Sequence, residues 1–153
     1  MQKQLEILTT TRTNVLKAIE GLTLEELNTI PTRFKNNIIW NVAHLVVTQQ
    51  LLCYKLSGLD MYLQNEFVDK YKKGSEVDFE VTQEEVDDIK KQLSELPKQL
   101  VDDYNNSIFK SFAEYPTSYN FTLNSIEDAI QFNNVHEGLH FGYMMAMKKV
   151  IHN

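Results

Sequence analysis

The chain has 153 residues, 42% of them hydrophobic, the length of one ordinary domain with apolar side chains enough for a sizeable core. Its 15 Lys and Arg stand against 21 Asp and Glu, a formal net charge of −6, which excludes the basic footprint that nucleic-acid binding usually leaves. A single cysteine, Cys53, excludes an internal disulfide and a cysteine-rich zinc fold, and 5 Gly with 3 Pro are too few for a turn-rich sandwich or barrel.

The first predicted helix carries Leu5, Leu8, Arg12, Val15, Leu16 and Ile19 on one face at three- and four-residue spacing, and Gly21 stops it. Thr23 and Glu26 form a capping box that predicts one further turn before Pro31. A second helix is expected from Asn36 or Asn37 to Ser57, ending at Gly58. It is apolar around most of its circumference, so it should be central, with room for a subunit contact as well. Its more polar stripe holds Asn37, Asn41, His44 and Thr48. Residues 59–81 form a long connection rich in aromatics, expected to cross the bundle or to shape a site.

Thr82 and Glu85 form the capping box of a third helix, whose apolar face runs through Val86, Ile89, Leu93, Leu96, Leu100, Tyr104 and Ile108. Pro97 should kink or divide it, because proline removes a backbone donor. Residues 109–124 read as a loop or a short extended pair. Ser125 caps a fourth helix that continues to Ile151, with Lys148 and Lys149 near its C-terminus. Four long helices with no persistent strand alternation predict an all-α four-helix bundle in a single domain over residues 1–153. The long connection would let the second and third helices run parallel. Residues 1–8 have no apolar signal-peptide core, and residues 38–56 are too polar to cross a membrane, so a cytoplasmic setting with no membrane partner is expected.

His136 and His140 are four apart, so they share a face, with Cβ atoms roughly 6 Å apart. They lie on a stripe with Ile126, Ala129, Met144, Met147 and Ile151 that should face the core, where imidazole nitrogens need partners. A divalent metal would satisfy both; carbonyls or water would serve as well, and the pair alone does not decide. Glu137 points about 100° away from His136, a poor position for a zincin general base. His44 is a third candidate if the second and fourth helices adjoin, and a solvated stripe is the alternative. His152 reads as a frayed chain end. Cys53, in an apolar setting, should be inert, and Met144, Met145 and Met147 should fill the core.

The segments Asn37-Ile38-Ile39-Trp40-Asn41-Val42-Ala43-His44-Leu45 and Asn134-Val135-His136-Glu137-Gly138-Leu139-His140-Phe141-Gly142 together resemble the two histidine motifs of the DinB-like (YfiT-like) metalloenzyme superfamily. The Lys72-Lys73-Gly74-Ser75 turn is similar to a weaker feature of that family. The resemblance implies a four-helix bundle with one divalent metal held by His44, His136 and His140; imidazole ligands suit several metals, with zinc or nickel expected first and iron next. It also implies thiol-dependent transferases and isomerases among its members, with a low-molecular-weight thiol as co-substrate.

Three imidazoles leave coordination positions open, as catalytic zinc sites do. The expected reaction is activation of a thiol or water for attack on a small electrophilic substrate, as transfer or hydrolysis. Trp40 and Tyr143 are candidates to line the pocket, and Asn41 and Glu137 to receive imidazole N–H groups. The competing reading is a non-catalytic bundle that binds metal for structure or sensing, or acts through a homodimer.

Overall fold

The structure, a computed structural model, describes residues 1–152. It is mostly helical: α1 (Gln2–Ile19), α2 (Leu24–Asn28), α3 (Ile38–Cys53), α4 (Asn65–Tyr71), α5 (Gln83–Asn105) and α6 (Ile126–Ile151), with one antiparallel pair, β1 (Tyr115–Pro116) and β2 (Thr122–Leu123). The all-α class expected from the periodicity is the observed one, and 109–124 contains the short extended pair.

Side chains start the helices as the capping rules require. Both capping boxes form: Thr23 with Glu26, and Thr82 with Glu85. Asn37 accepts from the Trp40 backbone N–H (2.9 Å) and Ser125 from that of Asp128 (3.1 Å). Three boundaries differ from expectation. The α-helical part of α3 stops at Cys53, and a 3₁₀ turn at Lys55–Ser57 carries the chain on to Gly58, whose left-handed φ of 71° turns it away. The connection 59–81 contains α4, which buries Val68 and Tyr71. Pro97 does not divide α5, which is continuous to Asn105 and stops short of Ile108.

The long helices pack in a cycle, α1 against α5 and α6, and α3 against the same two. Contacts between α3 and α5 advance in step. Asn28 binds both Asn37 and Val81 at their starts (3.0 and 2.9 Å), Gln49 donates to the Leu96 carbonyl (3.2 Å), and Tyr54 to the Asp103 carboxylate (2.7 Å). Two helices whose contacts advance together run the same way, and the 59–81 segment supplies the crossover this needs.

α3 is the centre. All of its residues but Thr48 and Leu51 are buried, so its apolar circumference is used up within the chain and offers no subunit contact. A buried ion pair ties three helices together beneath the site. Arg12 of α1 donates twice to Glu137 of α6 (2.8 and 2.7 Å) and once to the Leu45 carbonyl of α3 (2.9 Å), and Asn133 adds a bond to Glu137 (2.8 Å). This accounts for an arginine on the core stripe of α1: its charge is met in a fork geometry.

Candidate metal centre

α3 and α6 bring His44, His136 and His140 together. One ring nitrogen from each lies within 4.8 Å of the others. Ring centroids are 5.1 Å apart for His44 and His136, 4.8 Å for His44 and His140, and 4.4 Å for the α6 pair.

Hydrogen bonds fix the tautomers of two rings. His44 Nδ1 lies 2.7 Å from the Tyr71 carbonyl, which can only accept, so Nδ1 carries the proton and Nε2 keeps its lone pair. Thr48 Oγ1 approaches that Nε2 at 3.3 Å. His140 Nδ1 donates to Asn41 Oδ1 (2.8 Å). The amide cannot be the other way round, because Asn41 Nδ2 donates to Asn36 Oδ1 and the Asn37 carbonyl (2.8 and 2.7 Å). Both rings have the outer-shell acceptor typical of metal-binding histidines. His136 differs: its Nδ1 is buried with no partner, a state that buried polar atoms rarely keep.

Burial disfavours imidazolium at all three positions. It lowers the pKa of His44, with the Lys73 charge adding to the effect, and brings that of His140 down to about 4. His136 falls to about 2, by burial first and then by the two neighbouring histidines and Arg12. At neutral pH the set is three uncharged imidazoles. That donor set suits zinc, nickel or iron, and two of its rings are already oriented by acceptors on their Nδ1 protons, as such an ion requires.

A cavity of about 330 Å³ adjoins His44 and His136. Its wall includes Thr48 and Leu51, the two incompletely buried residues of α3, together with Leu52, Leu56 and Phe132. Both long connections contribute to it, Lys73 from 59–81 and Tyr115, Thr117 and Ser118 from 109–124. Of these, only Thr48, on the polar stripe, and Lys73, in the family-like turn, stood out in the sequence. The lining residues have no shared motif, and only the folded connections bring them to one place.

The other candidates divide. Trp40 does not line the cavity: it is buried and stacks on His44, with centroids 4.7 Å apart and planes 10° from parallel, and its Nε1–H bonds Ser75 Oγ (3.0 Å). Asn41 receives an imidazole N–H. Glu137 does not: its carboxylate is committed to Arg12 and Asn133, because a fully buried carboxylate needs a cation. Tyr143 packs against Phe34 (5.0 Å) on the exposed side of α6 and does not line the cavity. Met144 and Met147 fill the core, but Met145 is exposed. Cys53 is buried, and burial pushes its thiol pKa up, away from thiolate. His152 lies apart, bonded to Glu26 (2.9 Å). No described helix is long and apolar enough to cross a membrane.

No curated protein matches this chain. The family model of the DinB superfamily matches residues 7–144, a span that holds all three histidines, their acceptors and both connections that reach the cavity. By fold and by match along most of its length, the chain belongs to the DinB superfamily.

Proposed function

We propose that His44, His136 and His140 hold one divalent cation, zinc or nickel first and iron third, and that the protein is a metal-dependent enzyme acting on a small electrophilic substrate. The observation that carries this reading is the convergence of three neutral imidazoles, two of which, His44 and His136, border a cavity large enough for a small molecule. A divalent ion bound there supplies open coordination positions and lowers the pKa of a thiol or water.

The chain's own groups do the positioning. The Tyr71 carbonyl and Asn41 Oδ1 hold the Nδ1 protons of His44 and His140, which leaves both Nε2 lone pairs free to ligate. Trp40 covers one face of His44 and restrains its ring. The leucine and phenylalanine wall limits water around a bound substrate. Cys53 is too buried to act as the nucleophile, so thiol chemistry requires a low-molecular-weight thiol brought in as co-substrate. Transfer of that thiol is the first reaction class and hydrolysis the second.

Elemental analysis of untagged protein, with titration of added zinc and nickel, tests the centre. One equivalent bound, lost in the His136→Ala variant, is the expected result. No stoichiometric metal and no uptake would overturn it. A panel of thiols and small electrophiles then tests turnover, which His136→Ala should abolish.

A further inference from the structure

Two lysines of the cavity wall are left over by the histidine centre. Lys55 lies on the 3₁₀ turn after α3, and Lys73 in the turn after α4. Neither takes part in an ion pair among the described residues. Their neighbours behave differently: Lys70 is paired with Glu85 (2.6 Å) and Lys72 with Asp69 (2.6 Å). The chain carries 21 acidic residues, yet none lines this cavity. In an acidic protein, two exposed lysines without ion-pair partners that line one cavity free of carboxylates favour an anion there. The same cavity has an apolar wall of Leu51, Leu52, Leu56 and Phe132, with Thr48, Tyr115, Thr117 and Ser118 as its other lining residues.

We infer that the cavity binds a small amphiphile with one anionic head, carboxylate or phosphate. The head lies at Lys55 and Lys73, the apolar body lies along the leucine and phenylalanine wall, and the far end reaches His44 and His136. The inference deepens the enzyme reading and rests on it, since the far end is the reacting end only if the histidines form the centre. The head gains charge-assisted bonds to two lysines, and the body gains burial without asking the wall for polar partners.

The test uses metal-free protein with hexanoate, hexyl phosphate, 1-hexanol and hexylamine as probes. Binding is read from the fluorescence of Trp40, the only tryptophan, which stacks on His44 beside the cavity, and from calorimetry. At least one of the two anions should bind about 10-fold more tightly than the alcohol or the amine, the discrimination expected for a hydrogen bond to a charged group. The better anion names the head. The Lys55→Gln/Lys73→Gln variant should lose that preference and keep both its affinity for hexanol and its metal uptake. Equal binding of hexanol, no binding of either anion, or a preference unchanged in the double variant would each overturn the inference. Metal uptake by the same preparations is scored separately. Uptake without anion preference removes this inference alone, and anion preference without uptake removes the metal reading alone.

Discussion

Three of the four polar contacts of Asn41 serve orientation: two through Nδ2 to the start of α3, and one through Oδ1 to the His140 ring; the fourth, from Nδ2 to Met147 Sδ, is longer at 3.6 Å. Replacing Asn41 with alanine should leave the helix in place and free the ring. Metal affinity is then expected to fall by about 10- to 100-fold, the range for outer-shell partners. Competition with a chelator measures this, and circular dichroism checks that the fold persists. The histidines also predict a pH dependence in metal-free protein. Their folded-state pKa values are depressed, so between the ordinary value near 6.5 and the folded value only the unfolded chain binds the protons. Stability is therefore complete above about pH 6.5. It declines as pH falls, by up to about 1.4 kcal/mol per pH unit for each imidazole. The decline from His140 levels off near pH 4, while that from His136 continues lower. Denaturant titrations in chelator at pH 7.5, 6.5 and 5.5 should show this slope, and His136→Gln should reduce it by one proton's worth.

Among elements, the Arg12–Glu137 pair joins α1 and α6 and reaches the α3 backbone from beneath the centre. Arg12→Met alone leaves a buried carboxylate without its cation, and should cost about 3–5 kcal/mol by chemical denaturation. The double variant Arg12→Met/Glu137→Leu should recover most of that loss, because it removes both desolvated charges. At the start of α5, Thr82→Ala breaks a capping box and should cost about 1 kcal/mol without touching metal affinity. The long helices were legible because caps and apolar stripes are local, repeating every three or four residues. α4 was not. It is only seven residues long and has no side-chain cap, and it is held by burying Val68 and Tyr71 as it packs on α3. Pro97 does not divide α5 as one of its two expected effects would have, since the helix continues through it with Leu93, Leu96 and Leu100 all buried.

For the molecule as a whole, a metal held between α3 and α6 should couple to global stability, since binding the native state alone draws the equilibrium toward it. At an ion concentration 1,000-fold above Kd the gain is about 4 kcal/mol. Thermal melts with and without zinc or nickel should show a raised Tm in the wild type and none in His44→Ala. The cavity exists only at this scale. It takes its wall from α3 and α6, its lysines from the turns after α3 and α4, and its outer residues from the 109–124 segment.

The sequence by itself determined the helical class, the caps, the His136–His140 pair and the absence of any competing Cys-rich site, because each depends on residue type at separations of four or fewer. His44 was a candidate from its place on the polar stripe of the second helix, with a solvated stripe as the alternative, and family likeness in two short segments favoured it as a ligand. Only the tertiary structure decided which polar groups serve the centre. Asn41 and the Tyr71 carbonyl do, whereas Glu137, adjacent to His136 in sequence, is turned to Arg12. Arg12 and Glu137 are 125 residues apart, and Asn41 and His140 are 99 apart. Such pairings follow from how helices pack, which local spacing does not encode. The same holds for Lys55, an ordinary lysine in sequence, and for Lys73, noted only as part of a turn: they line one cavity only in the folded chain.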